Sequence, residues 1–277
     1  MYDQRLVRQY PAQEDRLGAE HVGALDALLG AGVGHTDVLP PLWHWVYFLE
    51  RTAQAELGPD GHPRIGRPTP PEPGLRRMFA GGRVTTFKPL RLGEPAFLET
   101  SVSDLVHKEG RSGPLWFVTV RYEYRQAGQV AVSEERDIVY RHPVTGATQV
   151  VLGSRRVEGV AEVPGHGLDL VIDETLLFRF SALTYNAHRI HYDLAWAEHE
   201  GYGGLVVHGP LQALMMGELL RRAGASFTGR TFEYRLVAPF VGTQVLRVRT
   251  EDAESAAGRI VVHDATGAVT AEARLQT

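Results

Sequence analysis

A helix that is apolar round most of its girth cannot sit at a surface, and residues 211–222 read as such a helix. Leu211, Leu214, Met215 and Leu219 fall on one face, with Met216 and Leu220 beside it. His208-Gly209-Pro210 opens it, with proline in the first turn, where it forfeits no hydrogen bond. Four segments of strand-like composition follow, at 231–237, 244–251, 259–263 and 269–275, with turns at Gly242, at 256–258 and at Gly267. One buried helix followed by antiparallel strands predicts an α+β fold.

The residues ahead of that helix carry the chemistry. The free N–H groups of a helix start point outward, and the dipole favours negative charge there. Residues 176–183 alternate apolar and polar well enough to predict a strand. Residues 184–192 form a polar loop holding Tyr185, Asn186, His188, Arg189 and His191, and Asp193 stands where an N-cap belongs, ahead of Leu194. An imidazole in a loop facing donors at a helix start suits enolate chemistry beside a thioester carbonyl, which needs an acid/base group and an oxyanion site. Histidine passes protons near neutral pH, whereas asparagine orients water or a carbonyl without acting as a base. A metal site from His188, His191 and His208 is the competing reading. No cysteine or carboxylate completes an established ligand motif with them, so no metal is expected. There is no Gly-x-Ser-x-Gly elbow, Gly-x-Gly-x-x-Gly turn or P-loop, so a serine hydrolase is not indicated, nor is a nucleotide cofactor; no cofactor of any kind is expected.

Asn186, four intervening residues and then His191, with Asp193 two places on, resembles the signature of the MaoC-like, R-specific enoyl-thioester hydratases. Val206-Val207-His208-Gly209-Pro210 is similar to that family's entry into its central helix. The form of residues 184–193 looks closest to one subgroup, the mitochondrial type-2 3-hydroxyacyl-thioester dehydratases and the bacterial mesaconyl-CoA and itaconyl-CoA hydratases. The likeness extends into the first half through residues 40–50, 78–94 and 108–124. It implies a double hot-dog, with two antiparallel sheets each wrapped around a central helix. It implies that His191 is the catalytic histidine, that Asn186 stands where the family has aspartate, and that Gly209 donates to the thioester oxygen. His208 and Tyr185 are expected at the substrate. If the substrate is a dicarboxylyl-CoA, Arg83 or Arg189 is expected to pair with its free carboxylate. The expected activity is that of a hydro-lyase on mesaconyl-CoA or itaconyl-CoA; the alternatives are a longer-chain 3-hydroxyacyl-ACP or -CoA dehydratase, a non-catalytic acyl-CoA-binding subunit and a thioesterase.

The first half reads as scaffold and cover. A helix is predicted over 17–29, and the aromatic run 42–49 as core, with His44 packed rather than catalytic. Residues 57–74 hold so many glycines and prolines that they must be irregular, either as a lid or as a plain connection. Gly81-Gly82 permits close backbone approach. Strands are expected at 96–107, 114–125 and 130–140, and a solvated turn at 108–113. The expected division is an N-terminal half over 1–145, a linker over 146–168 and a catalytic half over 169–277. A net charge of −4 argues against a nucleic-acid partner, and the absence of cysteine excludes disulfides and thiolate sites. No apolar leader opens the sequence and no run reaches the roughly 18 apolar residues of a membrane span. The expectation is a cytoplasmic chain with no membrane partner, a single chain or a homodimer.

Overall fold

The computed structural model describes residues 9–68, 70–72, 74–110, 113–142, 166–251 and 258–277. The first half contains β1 (Gln13–Arg16), α1 (Ala19–Leu29), β2 (Arg76–Thr86), β3 (Pro95–Gly110), β4 (Gly113–Gln126) and β5 (Gln129–Arg141). The second contains β6 (Gly167–Val171), α2 (Glu174–Thr184), α3 (Leu194–His199), α4 (Gly209–Arg222), β7 (Arg230–Leu236), β8 (Val245–Thr250), β9 (Ile260–His263) and β10 (Val269–Gln276). The expected linker over 146–168 lies outside the described residues up to 165.

The strands form one antiparallel sheet in the order β1-β3-β4-β5-β2-β7-β10-β9-β8-β6. The two expected sheets are therefore joined edge to edge, by β2 of the first half against β7 of the second. Gly81 and Gly82 make that seam possible. A β-carbon at Gly81 would strike the Tyr234 carbonyl oxygen, and one at Gly82 would strike that of Glu135. Gly81 also takes φ 153°, beside a register shift between Phe79 and Gly81.

α4 is buried on every side from Leu211 to Leu220, as its composition requires. Its two buried polar side chains are satisfied. Gln212 accepts from Thr270 Oγ1 at 2.7 Å, and Glu218 accepts from Trp43 Nε1 at 3.1 Å and from Arg221 Nε at 2.9 Å. α1 buries Val22, Leu25, Leu28 and Leu29 and stops at Gly30. The aromatic run is core: Trp43, His44, Trp45 and Val46 form a buried 3₁₀ turn. His44 Nε2 lies 3.0 Å from Glu134, which also takes Trp45 Nε1, so this histidine serves packing and a buried hydrogen-bond network.

One element differs in type from the sequence reading. Residues 176–183, expected as a strand, lie in helix α2. Asp173 caps it by accepting the Leu176 N–H at 2.7 Å, and Leu176, Leu177 and Phe180 bury at helical spacing while Phe178 is 62% exposed. The apparent alternation misled because Phe178 is apolar yet faces outward. Strands β1 and β6, each five residues or fewer, carry too little pattern to be read from sequence.

Candidate active site

α2 ends at Tyr185, which takes the left-handed conformation at φ 52° and turns the chain into the polar loop. The Asn186 N–H then donates to Ser181 O at 2.8 Å, and its Oδ1 accepts the His188 N–H at 3.0 Å. This leaves the Asn186 Nδ2 amide as its remaining polar end. A 3₁₀ turn, Arg189–His191, brings His191 beneath the start of α4. Asp193 caps α3 by accepting the Trp196 N–H at 3.1 Å.

His191 is 6% exposed. Its Nδ1 lies 2.7 Å from Val206 O. A carbonyl only accepts, so the proton sits on Nδ1 and Nε2 keeps its lone pair. Burial, and next the field of His188, push the His191 pKa down to about 3, so the ring is neutral at physiological pH. His208 stacks on it with centroids 3.7 Å apart and planes at 19°. Fully buried, His208 shares a 2.8 Å hydrogen bond between its Nε2 and Ser181 Oγ, and burial holds it well below the usual histidine range. His188 stands edge-on to His191 at 5.5 Å and reaches Glu200 at 3.4 Å.

A cavity of about 630 Å³ opens onto these groups. Asn186, His188, His191 and Gly209 line it together, with Pro210 and Gln212 of α4 and Phe79 of β2. The helix start, the amide and the basic imidazole nitrogen thus meet in one chamber. His208 is covered by His191 and stands behind the wall.

His208, expected at the substrate, is thus outside the cavity lining, and three further expected contacts lie elsewhere. Tyr185 is 54% exposed and does not line the cavity, because its side chain leaves the helix end toward solvent. Arg189 is held away from the cavity by Asp193 at 2.6 Å and Pro59 O at 2.9 Å, and lies over the Trp196 ring. Arg83 sits on the sheet face between Glu135 at 2.9 Å and Asp137 at 3.2 Å. Both arginines are committed to acidic neighbours, so neither is a carboxylate anchor in this cavity.

The sequence reading did not single out four arginines that do line the chamber, Arg67, Arg76, Arg77 and Arg136, nor His62. The glycine- and proline-rich loop contributes His62 and Arg67, so it is part of the cavity wall. It is fastened to the loop that carries Asn186 and His191: the Arg189 N–H donates to Asp60 O at 2.8 Å, and a β-carbon at Gly61 would strike the Ala187 carbonyl oxygen. Asp60 Oδ2 lies 3.0 Å from His62 Nδ1, and the His62 ring is tilted 37° against that of His188 with centroids 4.0 Å apart. Against the burial that opposes it, His62 holds Asp60 down at about 2, so the carboxylate is ionised. Asp60, His62 and His188 bring potential ligand atoms within 4.8 Å of one another. Two imidazoles on one tetrahedral ion keep their centroids about 5 Å apart, from metal–nitrogen bonds of roughly 2 Å. The 4.0 Å spacing fits a hydrogen-bonded cluster instead. The sequence signals were the Asp-Gly-His turn inside the long loop and the arginine pair opening β2.

The family model for hydroxyacyl-thioester dehydratase type 2 matches residues 42–242. Over 190 residues the chain is 52% identical to a Chloroflexus aurantiacus protein named mesaconyl-C(4)-CoA hydratase, an alignment covering 66% of this chain and 64% of that one. Over 240 residues it is 26% identical to the mitochondrial hydroxyacyl-thioester dehydratase type 2 of Schizosaccharomyces pombe, covering 76% of this chain and 77% of the relative. The chain thus spans just under two thirds of the first relative's length. Among solved structures it resembles HtdX of Mycobacterium tuberculosis, with a TM-score of 0.68 at 14% identity over 97% of this chain and 99% of that one. It also resembles a Mycobacterium tuberculosis protein described as a double hot-dog, with a TM-score of 0.57 at 14% identity over 97% and 94%. At such identities the likeness concerns the fold, which is a double hot-dog.

Proposed function

Because the chain belongs to the hydroxyacyl-thioester dehydratase type 2 family, we propose that it is a hydro-lyase, adding water to an enoyl-CoA thioester or removing it from the 3-hydroxyacyl form. The observation that carries this reading is the shared cavity, where His191 presents a lone pair opposite the Gly209 end of α4. In the hydration direction a water donates to His191 Nε2 and is steadied by the Asn186 amide. Its oxygen bonds to the β-carbon as an O–H bond breaks. The enolate oxygen that develops is met by the Gly209 N–H at the start of α4; Pro210 has no N–H, and the Leu211 N–H is given to His208 O at 3.1 Å. His191 then returns its proton to the α-carbon, which closes the proton balance without another donor. A positioned acid/base group of this kind contributes about 10²–10⁴-fold, and an oxyanion donor about 10²–10³-fold.

The substrate we propose is a short, branched dicarboxylyl-CoA of the mesaconyl or itaconyl type. It is supported by the likeness to the Chloroflexus protein and by the arginines in the cavity wall. Asn186, which cannot take a proton, favours a second reading, an acyl-CoA-binding subunit without turnover. The experiment is to follow the conjugated-thioester absorbance of mesaconyl-C4-CoA, itaconyl-CoA, crotonyl-CoA and a medium-chain enoyl-CoA, with free thiol assayed alongside. Absorbance loss without thiol release is the result expected of a hydratase. Thiol release would make the chain a thioesterase, and binding without change in any substrate would make it a binding subunit.

A further inference from the structure

Four guanidiniums face the cavity and three carboxylates answer them. Arg136 is fixed by the buried Glu134 at 2.5 Å and lies over the Tyr122 ring. Arg76 pairs with Glu200 at 2.6 Å. Arg67 lies 3.9 Å from Glu50 and hydrogen-bonds Gln13 at 3.2 Å. Arg77 has no carboxylate partner among the described residues; its recorded hydrogen bond is a long one, from Nη2 to Arg67 O at 3.4 Å. Glu50 shares the cavity and feels both Arg67 and Arg77, while burial drives its carboxyl upward; its ion-pair distance is to Arg67, and three carboxylates stand against four guanidiniums. One half-buried positive charge in the chamber is therefore left uncompensated. A guanidinium in that condition binds an anion, and its planar fork suits the two oxygens of a carboxylate.

Its position relates it to the reacting atoms. Arg77 and Phe79 are two residues apart on β2, in regular register with Tyr140 and Ile138, so they share a face about 7 Å apart. Phe79 lies against the helix start, since a β-carbon at Gly209 would come 3.1 Å from its ring. The Arg77 side chain thus enters the chamber one strand step from the oxyanion position. In a mesaconyl-type thioester the free carboxylate is attached to the β-carbon, so it must lie close to that same position.

We propose that Arg77 is the specificity-determining residue of this site, seating the substrate's own carboxylate beside the reacting carbons; this rests on the thioester hydro-lyase reading above. Arg83 and Arg189, expected in that role from the sequence, are spent on acidic neighbours, and Arg77 is the cavity guanidinium that is not. The anion could instead be a phosphate of the CoA, which every CoA substrate carries. The two sources separate when the acyl carboxylate is removed and the CoA kept.

The test compares kcat/KM for mesaconyl-C4-CoA with that for 3-methylcrotonyl-CoA, which has a methyl in place of the carboxylate, in the wild-type chain, Arg77→Gln and Arg77→Lys. The expected result is a wild-type preference for the carboxylate substrate that falls by about 10²-fold in Arg77→Gln, with Arg77→Lys intermediate. Melting curves identify a variant that has failed to fold, and Arg77→Lys, which keeps the charge, then carries the comparison. Equal losses on both substrates would overturn the proposal and assign Arg77 to the CoA. An unchanged preference would overturn it as well. If the wild-type chain turns over neither thioester, the hydro-lyase reading itself fails, a result distinct from the other two.

Discussion

Asn186 is a carboxamide that lines the same chamber as His191, an imidazole that makes no hydrogen bond or ion pair to a carboxylate among the described residues. The neighbours of His191 are two histidines and a backbone carbonyl, and burial with the field of His188 takes its pKa to about 3. A base that weak stays unprotonated through the whole neutral range. The acid limb of kcat for the wild-type chain is therefore expected well below neutral pH. Asn186→Asp would add a negative charge next to the ring and favour its protonated form, so the acid limb is predicted to move upward by about one unit or more. A pH–rate profile of the two proteins checks this; a limb that stays in place would mean residue 186 does not act on His191. The residues that build this chamber were legible in sequence where they are neighbours in the chain. Asn186, His191 and Gly209 lie within one short segment, and the family resemblance singled them out there; His188, read as a loop residue, joins them in the cavity wall. Arg77 and His62 were not legible because their approach to the site is made by sheet pairing and loop docking. Arg83 was singled out and Arg77 was not, and the structure separates them: Arg77 lines the cavity, while Arg83 is paired with Glu135 and Asp137.

At the level of elements, the site is a clamp of two loops and a helix start. The loop from Leu57 to Gly74 is irregular by composition but fixed where it matters, through Asp60 O to the Arg189 N–H and through the Arg189 side chain to Pro59 O. Gly61 adopts φ 88° in contact with Ala187, a place where any side chain collides with backbone. Gly61→Ala is predicted to cost about 2–3 kcal/mol, from a left-handed backbone and a collision that only main-chain movement relieves. Because Ala187 lies between Asn186 and His188, kcat should fall too. Denaturant melts and initial rates measure both; a variant of wild-type stability and activity would show that the loop is not fixed there. The periodic elements α1, α4, β4 and β5 were readable because each has one face or its whole girth committed to burial. α2 was not, since its capping aspartate and helical burial pattern compete with an exposed Phe178 that mimics strand alternation.

For the whole molecule, two halves share one sheet, and the second half's buried helix begins at a chamber roofed by strand β2 of the first. The proposed catalytic side chains come from residues after 169, while the cavity arginines come from residues before 145. The fused sheet makes the chamber a joint product of both halves. Burying neutral histidines has a stability consequence. His191 and His208 are held below their unfolded pKa, near 6.5, so the unfolded chain takes up protons that the folded chain refuses. Their contribution is complete above pH 6.5 and is lost as pH falls toward the folded values. Between pH 6.5 and 5 the loss for His191 is about 1.5–2 kcal/mol, and His208 adds to it in the same direction. Urea melts across that window are expected to show stability rising with pH; a flat profile would mean the rings are not buried neutral. The measurement that bears most directly on the whole account is kcat of His191→Gln and His191→Ala on the best thioester substrate. If His191 Nε2 takes the proton from water, both variants lose about 10³-fold in kcat, with folding preserved in the glutamine variant, whose amide can still donate to Val206 O. A kcat within tenfold of wild type in a folded His191→Gln protein would contradict the account and move the base to another group in the chamber.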